Sequence, residues 1–172
     1  MRRQRPRQPG VRELVDLHPE VVDARATWGE TPIQAATQMG DREIIDLLLE
    51  RGAPLEFLTA CVLGQLEEVR ARLAADSALA RARGVHELAP LYFAAIGDNP
   101  AIAELLLAAG AGVDERAEAG APIHGAVMGR SPRMVRWLLD HGADPSAPDF
   151  KGRSARQLAL DTDQPEIAEL IA

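Results

Sequence analysis

The chain has 172 residues, of which 47% are apolar but only 3% aromatic, and it carries a net charge of −7. That length admits one domain or two small ones, with alanine and leucine carrying the burial. The excess of acid argues against phosphate backbones as partners. The single cysteine, Cys61, rules out an internal disulfide, and no apolar run reaches bilayer-spanning length.

Residues 1–10 hold Arg2, Arg3, Arg5 and Arg7, and without these four the rest carries −11. The segment lacks the apolar stretch of an export signal and the interleaved aromatics of a nucleic-acid arm. It reads as a disordered tail, and the expected location is cytoplasmic. Residues 11–17 are predicted to form a helix, the second of a pair whose first is missing. The stretch from Val11 to Pro32 aligns without gaps on Val69 to Pro90, which does follow a first helix. The chain is therefore expected to begin mid-unit and to stop inside a second helix at Leu170-Ile171-Ala172.

The next segment sets a pattern. Thr31 is a candidate N-cap and Pro32 a first helical residue, where its missing N–H costs nothing. Ala35 and Ala36 keep one helix face thin, and Gly40 can end the helix in the left-handed conformation. Asp41 then caps a second helix with Ile44, Ile45, Leu47, Leu48 and Leu49 on a wide apolar stripe, which Gly52 closes. Variants of the same phrase begin at Ala89, Ala121 and Ser154, spaced by 32 and 33 residues. Pro100, Pro132 and Pro165 open the second helices of these units. Gly110 and Gly142 close two of them, and His141 lies in a last turn, where a cation suits the helix dipole. A further unit begins at Leu55, only 24 residues after Thr31, so about one loop is missing between Gly52 and Leu55. A fixed period of this length marks a stacked array.

This arrangement resembles the ankyrin repeat family, on Gly29-x-Thr31-Pro32-Ile33-x-x-Ala36, on Leu47-Leu48-Leu49-x-x-Gly52-Ala53, and on their copies. Gly142-Ala143-Asp144 and Asp149-x-x-Gly152-x-Ser154 match the family's hairpin turn. The resemblance implies an all-α solenoid of stacked antiparallel helix pairs, with short β-hairpin loops projecting like fingers. A single domain over 11–172 is expected, with a half repeat at 11–25 and repeats at about 26–54, 55–82, 83–114, 115–146 and 147–172. Ala89, Ala121 and Leu55 stand where the family favours a capping Thr. Each lacks a hydroxyl worth about 1 kcal/mol, so Ala89→Thr or Ala121→Thr is expected to stabilise. The family's His after the helix start survives only as His124.

No catalytic or metal-binding pattern emerges. His18, His86, His124 and His141 are scattered over different units, no Gly-rich loop with a Lys is present, and Cys61 sits at a small, packed core position. No enzyme activity, metal or cofactor is expected. A cleft at the missing loop near Pro54 would need convergent polar groups, and the local sequence offers only Glu56 and Thr59.

The resemblance implies a protein partner held on the concave face by finger tips and first helices. Carried over by position, the candidate contacts are Trp28, Glu30, Gln38, Met39, Leu63, His86, Leu88, Ile96, Glu118, Met128, Phe150 and Lys151. Met39, Leu63, Ile96 and Met128 are read as one repeat position, forming either an inner apolar stripe or seals between units. Trp28 reads as an interface anchor, while Phe150 either projects or folds onto its hairpin. Trp137 is expected to pack between second helices. Nucleic acid, membrane and small-molecule substrates are not expected as partners. The chain is read as a monomer, with an alternative role in end-to-end assembly through bare ends.

Overall fold

The computed structural model describes residues 10–171 other than Glu118. The arginine-rich segment 1–9 and Ala172 lie outside the described residues. The described chain forms eleven α-helices: α1 Val11–Leu17, α2 Pro32–Met39, α3 Arg42–Glu50, α4 Phe57–Leu63, α5 Leu66–Ala75, α6 Pro90–Ile96, α7 Pro100–Ala108, α8 Pro122–Met128, α9 Pro132–Asp140, α10 Ala155–Asp161 and α11 Pro165–Leu170. Each first helix packs on its own second helix and on the next first helix, so that α2, α4, α6, α8 and α10 follow one another in chain order. This is an all-α solenoid whose core runs continuously along the stack from Val15 to Ile171.

Local chemistry sets the helix ends. The Asp41 carboxylate accepts from Ile44 N–H, the Ser131 hydroxyl from Met134 N–H and the Ser154 hydroxyl from Gln157 N–H, each satisfying a donor the helix cannot. Thr31 behaves otherwise, because its buried hydroxyl has no hydrogen-bond partner among the described residues. The bond at this start runs the other way, with Gln34 Oε1 accepting from Thr31 N–H at 3.0 Å. His124 does the same for Ala121, its Nδ1 accepting from the backbone N–H at 3.1 Å. At Thr31 and Ala121 the side chain three residues into the phrase thus bonds the cap residue's own N–H, whereas the starts at Ala89 and Glu56 carry no side-chain cap.

The left-handed residues fix the register. Gly40, Gly64, Asp98, Arg130 and Asp163 have φ of 66°, 79°, 56°, 53° and 55°, each nine positions after its repeat start. Ile96 and Met128 therefore correspond to Gln38 and Val62, and do not share a position with Met39 and Leu63. The counterparts of Met39 and Leu63 are Gly97 and Gly129. These two glycines are right-handed, and their role is space: a Cβ would lie 2.2 Å from the Val62 carbonyl oxygen at Gly97, and 2.2 Å from that of Ile96 at Gly129. The first helices touch backbone to backbone there, and every residue of α6 is buried as a result.

Two further differences from the sequence reading concern loops. No strand occurs among the described residues. The expected hairpins are tight turns, and one carries an isolated antiparallel bridge, Ala117–Gly120. The second unit has no finger, and only residues 51–56 link α3 to α4, which has Glu56 at its N-cap position and starts one residue later than the register suggests. After α1 and α5 the chain makes 3₁₀ segments at Pro19–Val22 and Ser77–Arg81, burying Val22 and Ala80 at equivalent positions.

Candidate functional site

Four fingers stand before α2, α6, α8 and α10. In the first, Ala26 N–H donates to the Glu30 carbonyl and Gly29 N–H to that of Ala26, both at 2.8 Å. The Glu30 carboxylate then accepts from Trp28 Nε1 at 2.9 Å and from Gln38 Nε2 at 2.5 Å. One carboxylate thus ties the finger tip to α2. Trp28 remains 71% exposed and Met39, at the end of that helix, 65% exposed.

The last finger is braced more tightly. Asp149 is buried, and its Oδ1 accepts from the backbone N–H groups of Lys151 and Arg153. Its Oδ2 takes the Arg153 guanidinium at 2.7 and 2.9 Å. Arg153 also reaches Asp161 at the end of α10, at 3.1 Å. Burial pushes the Asp149 pKa up, but these donors, Arg153 foremost, hold it below the ordinary carboxylate value. Phe150 at the tip is 67% exposed and does not fold onto its hairpin. The Lys151 ammonium lies 5.3 Å from the ring centroid.

The middle fingers contribute less. His86 is exposed with φ 57°. Leu88, grouped with it from sequence, is buried at the foot of the turn, where Gly84 N–H donates to the Leu88 carbonyl. Ile96 is buried too, its side chain lying against Gly40 of the first unit. Ile96 seals neighbouring units and Leu88 the foot of its own finger, so both leave the candidate face, which also breaks the proposed four-residue stripe. Met128 is 40% exposed and Leu63 partly buried. Glu118 lies outside the described residues.

The second unit differs in kind. Where its finger is missing, a cleft of about 280 Å³ opens between α2, α4 and the foot of the next finger. Gln34, Thr37, Glu56, Thr59 and Arg83 converge on it. Sequence reading found Glu56 and Thr59 on α4 but not their partners, because the pairing joins residues 22 apart. Gln34 Nε2 donates to both Glu56 oxygens at 3.0 and 3.1 Å, and the buried hydroxyls of Thr37 and Thr59 are 2.9 Å apart. Since 34 and 37 share one face of α2, and Thr59 of α4 lies one turn beyond the cap residue Glu56, the two contacts form rungs of a polar ladder.

The Cys61 thiol is fully buried, and burial pushes its pKa up to about 12, so it is no nucleophile at neutral pH. His141 caps α9 through the Trp137 carbonyl and stacks on the Trp137 ring at 3.8 Å. Trp137 donates to Glu104 on α7, bridging two second helices. Among the described residues no group of three or more His, Cys, Asp or Glu could hold a metal ion, and no helix is long and apolar enough to cross a membrane.

Comparison with known families agrees with this architecture. The model described as ankyrin repeats (3 copies) matches residues 57–149 and 91–172, and the one described as ankyrin repeat matches residues 28–60. No curated protein matches the chain. Repeats of this kind are in general protein–protein interaction modules. The repeat register, the helix pairs in chain order and the two family matches, which together reach from residue 28 to 172, make this chain a member of the ankyrin repeat family.

Proposed function

We propose that this protein is a non-catalytic module that holds a protein partner on the concave face formed by its fingers and first helices. The observation that carries this reading is the pair of exposed aromatics, Trp28 and Phe150, on the first and last fingers. Both fingers are braced by buried or half-buried carboxylates, so the rings are presented on rigid supports. Fixing a large aromatic before binding lowers the entropy lost on association, and such residues are the usual anchors of interfaces. Glu30, Gln38, Met39, His86, Met128 and Lys151 complete the proposed face, and Leu63 adds a partly buried edge.

Affinity capture from the native cell tests it. Wild type is expected to retain a partner that the Trp28→Ala/Met39→Ala double variant and Phe150→Ala each hold at least roughly tenfold more weakly, the effect of losing one interface anchor. Equal retention by all three would overturn the assignment of this face.

A second reading, end-to-end assembly, has its own support. Val11, Leu14 and Leu17 of α1 are 44%, 40% and 66% exposed, and Leu160 of α10 is 45% exposed. Apolar surface at both ends could join copies head to tail. Mass that rises with concentration, and falls back to monomer on Leu14→Ser/Leu17→Ser, would favour it. A monomer at every concentration would dismiss it.

A further inference from the structure

We infer that the cleft left by the missing finger receives a basic side chain, a lysine or arginine, projecting from the protein partner, with Glu56 as its counter-ion. This deepens the proposed function and rests on it for the presence of a partner. The junction between α8 and α10 shows what a complete finger does. There His124 Nε2 donates at 3.2 Å to the carbonyl of Arg153, the last finger residue. At the junction between α2 and α4 the carbonyl of Leu55, just before the helix cap, goes to Arg72 Nη2, and the Glu56 carboxylate is the acceptor for Gln34. A neutral carbonyl has been exchanged for a full negative charge at the wall of a cleft.

That charge is unanswered. Among the described residues no Arg, Lys or His lies within ion-pairing distance of Glu56, whose one side-chain donor is the neutral Gln34 amide. Arg83, on the opposite wall, is already engaged, its Nη2 lying 3.2 Å from Glu115 Oε2. The local balance is therefore one negative charge on a chain whose net charge is −7. A carboxylate offers about four acceptor positions, more than one amide can fill.

The floor and walls fit the same guest. Two threonine oxygens that share one hydrogen bond keep lone pairs for an N–H donor. Leu58 supplies apolar wall for a methylene stem. The hydroxyls are not demanded by packing, because the residues at the positions of Thr59 and Thr37 are Phe93 and Cys61 at the next junction and Gly125 and Ala95 at the one after, without hydroxyls. An anion fits poorly, because Glu56 would repel it and Arg83 is committed to Glu115.

The test is an NMR titration of the intact protein with N-acetyl-lysine methylamide and N-acetyl-arginine methylamide. N-acetyl-norleucine methylamide, which has the stem without the charge, serves as control. A saturable shift of the Gln34 side-chain amide and the Thr59 backbone amide with either cation, and none with norleucine, is expected. Glu56→Gln, which keeps an acceptor for Gln34, should weaken that binding about tenfold or more, the loss of a charge-assisted bond. Thr59→Val should weaken it less, with the fold of both variants confirmed by circular dichroism. No shift with either cation, equal shifts with norleucine, or unchanged affinity in Glu56→Gln would each overturn the proposal and leave Glu56 a structural acceptor only. The outcomes separate from those of the capture experiment. Loss of capture in the Trp28→Ala/Met39→Ala variant with no cation binding keeps the face and removes the cleft, whereas cation binding with unchanged capture keeps the cleft and removes the face.

Discussion

His124 is the residue at which local chemistry is most exposed to test. It is buried between α8 and the last finger, with Nδ1 accepting from Ala121 N–H and Nε2 donating to the Arg153 carbonyl. Burial lowers its pKa below the ordinary 6.5, and a second proton on Nδ1 would face the Ala121 N–H donor. The folded state therefore binds a proton less readily than the unfolded chain. Its stabilising contribution is full above pH 6.5 and is lost as pH falls from there through the lowered folded value. Thermal melts from pH 7.5 to 5 should show a falling midpoint in wild type and a flatter profile in His124→Gln, each slope read against the other. The neighbouring cap position reverses an expectation. Ala89 and Ala121 are fully buried, and the one Thr in this place, Thr31, leaves its hydroxyl unbonded. Ala121→Thr is now expected to destabilise by about 1–3 kcal/mol through overpacking, seen as a lower melting temperature, where sequence alone had suggested a gain. The family's capping rule was legible in the residues. That the side chain three positions on already did the work was not, because it depends on where an imidazole points.

At the scale of the helix, the close approach of α6 and α8 depends on two glycines, Gly125 against the Tyr92 carbonyl and Gly129 against that of Ile96. Gly129 has no backbone need to be glycine, since its φ is −73°. A Cβ there would meet the Ile96 carbonyl at 2.2 Å, against rigid backbone. Gly129→Ala should cost about 1–3 kcal/mol in chemical denaturation, despite the better helix propensity of alanine. The helices themselves were readable from prolines at their starts, glycines near their ends and the stripe between. The two buried members of the candidate face, Leu88 and Ile96, were not, since loop and helix-end positions look alike in sequence whether a neighbour covers them or not. The slip in aligning Met39 and Leu63 with Ile96 and Met128 has the same origin. Asp98, Arg130 and Asp163 hold the left-handed position that glycine marks in the first two units, and a residue with a side chain gives no sign of it.

For the whole molecule, burial is graded along the stack. All seven residues of α6 are buried, whereas α1 buries Val15 alone. Arrays gain stability from nearest-neighbour contacts, so opening free energy should follow this gradient. Native-state hydrogen exchange is expected to find the slowest amides in α6 and α8 and the fastest in α1, and uniform protection would contradict a stack that opens unit by unit. The order of the units was legible from the period of the sequence. The ladder of Gln34, Glu56, Thr37 and Thr59 was not, because it exists only once two units are set side by side.

The paired 3₁₀ segments after α1 and α5 carry a consequence for design. Positions 11–32 and 69–90 match in length, in where the helix ends and the 3₁₀ segment begins, and in burying Val22 and Ala80. A cassette of residues 11–68 spliced between Glu68 and Val69 would therefore keep the period of the stack and create one new packing contact between first helices, α4 against the copy of α2. The molecule contains its own template for being made longer.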